Sequence, residues 1–224
     1  VFAHLGNNQE VIKGYTDDNW MDLHQYVADI TGLPRNATYS GEANAKQLDL
    51  SMIFNSGNGA IAEKMGMPWE WNSFKAKDGK TITYKKAGPE AEAIIEKYHK
   101  RLPGVKKLAN GAKKKAESRG YVFTRYGRHL RFPKGYKSYK ASGLLIQATA
   151  ADINKRVWSI IEEELGDDGH LILNTHDSYS MCMPEDWGPH YKRVKEAIQD
   201  GFPWFRVPLM LEFSGAGGNW WDAI

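Results

Sequence analysis

Apolar side chains recur along most of this chain at intervals of three or four residues, the spacing of one helix face. Phe2, Leu5 and Ile12 predict a short helix over 1–15. Met21, Leu23, Tyr26 and Val27 predict a second, to about Ile30, with an N-cap among Asp17, Asp18 and Asn19 and a stop at Thr31-Gly32-Leu33-Pro34. A third is predicted over 40–55, where Lys46, Leu50 and Phe54 stand four residues apart and share a face. A short helix follows over 60–65. Pro68 to Thr83 is less regular, with Trp69 close to Trp71 and a turn at Asp78-Gly79. Pro89 opens a helix to Leu102, and Pro103-Gly104 separates it from a basic helix ending near Arg119-Gly120.

The pattern then changes. Tyr121 to Thr124 and His129 to Phe132 read as short strands, and Tyr139 to Leu165 as one long helix. Between Leu171 and Met183, two alternating runs flank His176-Asp177, which predicts a hairpin with that pair at its turn. A helix over 186–199 and a strand over 207–213 complete the reading. Helices in the middle and strands mainly toward the end make the class α+β.

Composition adds bounds. The 224 residues are 42% hydrophobic and 25% charged, enough for one large domain or two small ones. The single cysteine, Cys182, excludes an internal disulfide and a cysteine-rich zinc site, and a reducing, cytoplasmic compartment is expected. No apolar run reaches membrane-spanning length. The chain begins with Val1, so removal of a leading segment, or origin as a piece of something longer, is expected.

Charge changes the picture most. The net charge is +3, but Lys100 to Lys140 holds fourteen Lys or Arg against one acid, Glu117, a local +13 that leaves −10 elsewhere. This asymmetry points to a polyanion-binding face. A solvated helix face is the plainer alternative, weakened because the basic window continues past Lys113-Lys114-Lys115 into a segment that is not helix-like. Ser56-Gly57-Asn58-Gly59 follows a helix and lacks the Lys-Ser/Thr of a phosphate-cradling loop. Taken alone, Asp177 reads as an ordinary turn residue, and Lys46 among apolar neighbours either snorkels or holds a phosphate.

Several stretches together decide between these readings. Gly120-Tyr121-Val122-Phe123-Thr124-Arg125-Tyr126-Gly127-Arg128, the Gln147 to Lys155 helix, His176-Asp177, and Pro208-Leu209 through Gly218-Asn219-Trp220 resemble, in the same order, stretches of family A DNA polymerases, the group of bacterial DNA polymerase I. Val1 to Tyr15, Asp22-Leu23-His24 and Ala45-Lys46 to Phe54 are similar to further stretches of that family, so the resemblance spans the chain. It implies the fingers and the C-terminal part of the palm of a right-hand polymerase. Residues 1–15 would be a palm segment, 16–139 the fingers with a basic DNA-facing segment, and 140–224 the palm with its His-Asp hairpin. The implied activity is template-directed transfer of a nucleotide from dNTP to a primer 3′-OH, phosphoryl transfer assisted by two Mg²⁺ ions.

The resemblance also implies roles. Asp177 would bind metal and His176 would lie near the primer terminus. Lys46 would neutralise the triphosphate, Leu50 would face the sugar, Phe54 would stack near the new base pair, and His24 would touch a phosphate. Arg128 and Gln147 would contact DNA near the primer end, while Arg131, Lys140, Lys113, Lys114 and Lys115 would hold phosphates. The partners implied are primer–template DNA, dNTP, and an upstream segment or subunit supplying the other metal-binding Asp, without which this chain is expected not to polymerise DNA. Departures from the family pattern suggest a phage-type branch. Glu42 stands where an Arg is usual, a role Arg35 is a candidate to take over; Leu50 replaces an aromatic, Phe54-Asn55 a Tyr-Gly, Gly143 an Asn, and Ser178 an acid. Ser178 also suits a single-subunit phage-type RNA polymerase, and a non-catalytic DNA-binding module would use the basic window alone.

Overall fold

The N-terminal residues Gly6-Asn7-Asn8 both end and start a helix. The computed structural model describes residues 1–16, 20–75, 79–219 and 222, and in it the single helix expected over 1–15 is two. Helix α1 (Phe2–Gly6) stops where Asn7 takes a left-handed φ of 47°, a conformation Asn tolerates better than most residues. Helix α2 (Gln9–Thr16) then begins, with the Asn8 side chain accepting the Val11 N–H at 3.1 Å.

Helix α3 (Leu23–Thr31) is capped by Asp22, which accepts the N–H groups of His24 and Gln25 at 3.0 Å. The cap expected at Asp17 to Asn19 lies outside the described residues. Helix α4 (Ala45–Ile53) is shorter than the expected 40–55, because Asn44 caps it. The residues ahead of it are held in a loop by Glu42, whose carboxylate accepts both the N–H and the hydroxyl of Thr38. Helix α5 (Asn58–Lys64) follows.

Next come β1 (Trp69–Lys75) and β2 (Thr81–Ala87), an antiparallel hairpin registered from Trp69↔Ala87 to Lys75↔Thr81. Its sequence reads as irregular because most of both strands is exposed, with Trp71 64% exposed and Phe74 53%, and only the end at Trp69 and Ala87 joins a buried cluster. Lys85 ties the hairpin to α5 by pairing with Glu63, and its amino group lies 4.4 Å from the Trp69 ring centroid.

Helices α6 (Pro89–Arg101) and α7 (Pro103–Arg119) stand where the prolines placed them. Strands β3 (Tyr121–Phe123) and β4 (His129–Arg131) form a second hairpin. Helix α8 (Ala141–Leu165) is the predicted long helix. A third hairpin, β5 (His170–Thr175) with β6 (Ser178–Cys182), turns at His176-Asp177, and α9 (Trp187–Asp200) follows.

The expected strand over 207–213 is irregular chain without a ladder partner among the described residues. It is held by side chains instead: Phe213 stacks on Trp187 at 4.7 Å between centroids, and the Tyr191 hydroxyl donates to the Leu211 carbonyl at 3.3 Å.

Packing divides the chain into residues 1–149 and 150–224. In the first unit, Leu48, Met52, Ile61, Ile95 and Tyr98 are buried. A separate cluster joins Ala112 and Ala116 of α7 to Val122, Phe132 and Ala141. The buried positions of α7 are all small or β-branched (Gly104, Val105, Ala109, Ala112, Ala116), so neighbours approach its axis closely. A Cβ on Gly104 would stand 2.8 Å from the Gly6 carbonyl oxygen of α1. In the second unit, Ile153, Val157, Ile160 and Ile161 of α8 are buried, as are Val194 and Ile198 of α9. Arg193 of α9 donates to the Glu164 carbonyl at the end of α8, where a cation offsets the helix dipole.

Gly59 tests the contact of α5 with β2. A Cβ there would stand 2.1 Å from the Lys85 carbonyl oxygen, backbone that cannot swing aside. Gly59→Ala should destabilise the fold by about 1–3 kcal/mol, read as a lowered urea midpoint; an unchanged midpoint would refute the contact.

Candidate functional site

Helix α4 presents two stripes. Ala45, Leu48, Asp49 and Met52 are buried, while Lys46 and Leu50 are exposed on the adjoining side, continued by Phe54 at the C-cap. The predicted trio is therefore brought to one outward face. Beyond it, Asn55 donates to the Tyr139 carbonyl at 2.9 Å, just ahead of α8. Gly143, buried in the first turn of α8, sits close to Phe54: a Cβ there would lie 3.3 Å from the Phe54 carbonyl oxygen. A larger residue at 143 would require Phe54 to give by a few tenths of an ångström.

Beneath the exposed stripe lies a polar cluster. Asp49 is fully buried, accepts the Tyr98 hydroxyl at 2.8 Å, and has its other oxygen 3.1 Å from His24 Nδ1. Burial raises the Asp49 carboxyl above the usual range, and the Tyr98 hydrogen bond and the His24 ring pull it back down. Burial, followed by the charge and hydrogen bond of Asp49, raises the Tyr98 phenol. His24 stands in the first turn of α3 with its side chain 25% exposed. Arg35 was the candidate substitute for the Arg usual at Glu42. Its backbone carbonyl accepts the Lys46 N–H at 3.2 Å, but its guanidinium is paired with Asp22 at 2.7 Å. Hydrogen bonds from the Gln25 N–H and Arg35 hold the Asp22 carboxyl low.

The basic window turns outward. Lys113, Lys114 and Lys115 lie exposed on α7, opposite its small buried residues, with Lys113 reaching Glu117 at 3.8 Å. Arg128 is exposed in the turn between β3 and β4, Arg131 at the end of β4, Lys140 just before α8, and Gln147 on α8.

The hairpin tip belongs to the second unit. His176 has φ 57° and, with Asp177, forms a two-residue loop closed by the Thr175↔Ser178 pair, both tip side chains exposed. Asn154 of α8 fixes this loop from behind. Its amide nitrogen donates to the His176 carbonyl at 2.8 Å and to Asn174 Oδ1 at 3.0 Å, and its oxygen accepts the Tyr179 hydroxyl. Burial, with the Asp177 charge second, pushes the Tyr179 phenol up to about 12. Among the described residues, no group of three or more His, Cys, Asp or Glu is gathered as a metal site, and no helix is long and apolar enough to cross a membrane.

Sequence reasoning missed Asp49, Tyr98 and Asn154. Asp49 alone left a signal, a charge set beside Leu48 and Met52 on the buried side of an amphipathic helix. Asn154 and Tyr98 looked like ordinary helix residues until the fold placed their partners.

The model of DNA polymerase family A matches residues 1–222. The chain belongs to that family. The DNA polymerase DpoZ of Vibrio phage phiVC8 is 57% identical over all of this chain and 35% of its own length. DNA polymerase I of Pseudomonas aeruginosa is 25% identical over all of this chain and 24% of its own. The chain thus spans about a third of the length of the phage relatives it matches. The fold matches the POL domain of Pol1 from M. smegmatis in complex with DNA primer-template and dNTP, with a TM-score of 0.71 at 20% identity, over 93% of this chain and 35% of that one. The α+β class is thus that of a family A polymerase domain, and this family generally uses a divalent metal.

The clamp on the hairpin is testable. Asn154→Ala leaves the Tyr179 hydroxyl and the His176 carbonyl without these partners, at about 1–3 kcal/mol. Amide exchange at Thr175 to Ser178 should quicken more than exchange elsewhere in β5 and β6; uniform protection would show that Asn154 does not hold the tip.

Proposed function

We propose that this chain is the fingers (16–139) and part of the palm (1–15 and 140–224) of a template-directed DNA polymerase that transfers nucleotides from dNTP to a primer 3′-OH. The observation that carries the reading is the family match over residues 1–222, with Asp177 exposed at the tip of a clamped hairpin. Nucleotidyl transfer needs positioning and charge neutralisation more than covalent chemistry by the protein.

In this reading Lys46, outward on α4, offsets the triphosphate charge, and His24 reaches a phosphate. Leu50 packs on the sugar and Phe54 on the new base pair. Arg128 and Gln147 hold DNA near the primer end, while Arg131, Lys140, Lys113, Lys114 and Lys115 hold phosphates without reading sequence. His176 stands by the primer terminus. Asp177 is an exposed oxygen donor of the kind hard cations take, so it fits one side of a metal site. Mg²⁺, two ions in the complete site, supplies positive charge to the attacking and leaving oxygens. One carboxylate does not anchor cations that take six oxygen ligands; the second comes from a further segment or subunit of the polymerase. The single-subunit RNA polymerase that Ser178 invited finds no support among the relatives named above, all DNA polymerases.

Two experiments test the reading. In the longer polymerase containing these residues, Asp177→Asn should lower primer extension by about a hundredfold or more while primer–template affinity stays within about twofold. Retained extension would reject Asp177 as a metal ligand. A polymerase whose DNA binding shows no metal-dependent extension at all, before any substitution, would favour the DNA-binding module. Reversing charge at Lys113, Lys114 and Lys115 should flatten the dependence of log K on log salt, by about 0.9 for each phosphate no longer neutralised; an unchanged slope would make the three a solvated face.

A further inference from the structure

The Asp49 carboxylate has no water-facing surface, and its two oxygens face two different helices. One accepts the Tyr98 hydroxyl from α6 at 2.8 Å; the other lies 3.1 Å from His24 Nδ1 on α3. The second contact is close but off the line of a good hydrogen bond, and neither atom has another hydrogen-bond partner among the described residues. A buried, half-satisfied carboxylate is expensive, so its surroundings matter. Tyr98 is a neutral phenol. Tyr15 of α2 is another, raised by burial and then by the charges of Asp49 and Asp22. Asp22 is a second anion, and Arg35 is paired with it. Lys46 lies on the exposed stripe of α4. Among these groups, His24 is the one in direct contact with Asp49 that can bring it a positive charge.

We infer that Asp49 is a positioning residue for His24: a small turn of the ring brings Nδ1–H onto its second oxygen, so that Nε2 is the atom offered to a nucleotide phosphate, with binding accompanied by uptake of a proton at Nε2. This rests on the reading above that His24 faces the triphosphate. The chemistry follows from the ring. With Nδ1–H given to Asp49, a neutral imidazole presents a lone pair at Nε2, which repels a phosphate oxygen. Accepting the phosphate requires a proton on Nε2, taken from solvent. The ring then stands between two anions, each receiving one N–H, and no other bond changes. Nucleotide binding therefore strengthens as pH falls toward the point where the raised Asp49 carboxyl itself takes a proton and releases Nδ1.

The test uses the longer polymerase on primer–template, with KM for dNTP and kcat measured between about pH 6 and 8.5. The unaltered enzyme should show KM rising with pH. Asp49→Asn keeps the shape and the acceptor for Tyr98 but removes the charge. It should raise KM about tenfold near pH 8 and flatten its pH dependence, with kcat within about twofold. A residue that only supports the fold would change kcat and KM together at every pH. His24→Ala and Lys46→Ala are the controls. If both raise KM while Asp49→Asn changes neither KM nor its pH profile, the role of Asp49 is overturned and the nucleotide site stands. If His24→Ala leaves KM unchanged, the nucleotide role of His24 falls, and this inference with it. Nitrogen-15 spectra of the unaltered chain supply a readout independent of any variant: a protonated Nδ1 on His24 supports the assignment, and an unprotonated one overturns it.

Discussion

Burial of Leu48, Asp49 and Met52 on one side of α4 decides where Lys46, Leu50 and Phe54 stand. A helix cannot rotate one stripe without rotating the other. The packing of α4 against α3 and α5 therefore sets the outward face as firmly as it sets the core. Asn44 fixes the first turn, and the Asn55 side chain ties the far end to Tyr139. What a nucleotide would meet is thus held by residues it never touches.

Much of this was legible from sequence, for reasons that differ by element. Pro89 and Pro103 mark helix starts because proline has no N–H to lose there, and α6 and α7 begin at them. The β5–β6 hairpin was readable because its runs alternate, even though Ile172 and Leu173 end up exposed. The β1–β2 hairpin was not readable: apart from Trp69, Lys85 and Ala87, which meet α5 and its neighbours, most of its side chains lie in water, so its apolar residues mark no buried face. The segment 207–213 failed in the opposite way. Its composition suits a strand, but a strand needs a ladder partner, and aromatic stacking on α9 replaced one.

The site divides along the same line. Asp177, Lys46 and the basic residues are exposed and chemically distinctive, so their type and order carried them. Asp49 and Asn154 act through partners 25 and 20 residues away in His24 and Asn174, and contacts at that separation exist only once the chain has folded. The same limit hid the closeness of Gly143 to Phe54, which gives an unusual residue for the family a close packing neighbour.

Cys182 closes β6 opposite His170, exposed and the single sulfhydryl of the chain. Because it lies at the base of the hairpin while Asp177 lies at the tip, the length of the strand separates it from the acidic group. Within these 224 residues a thiol-reactive fluorophore would attach at this one position. The chain thus carries its own attachment point for optical spectroscopy, at the root of the structure whose tip is proposed to do the chemistry.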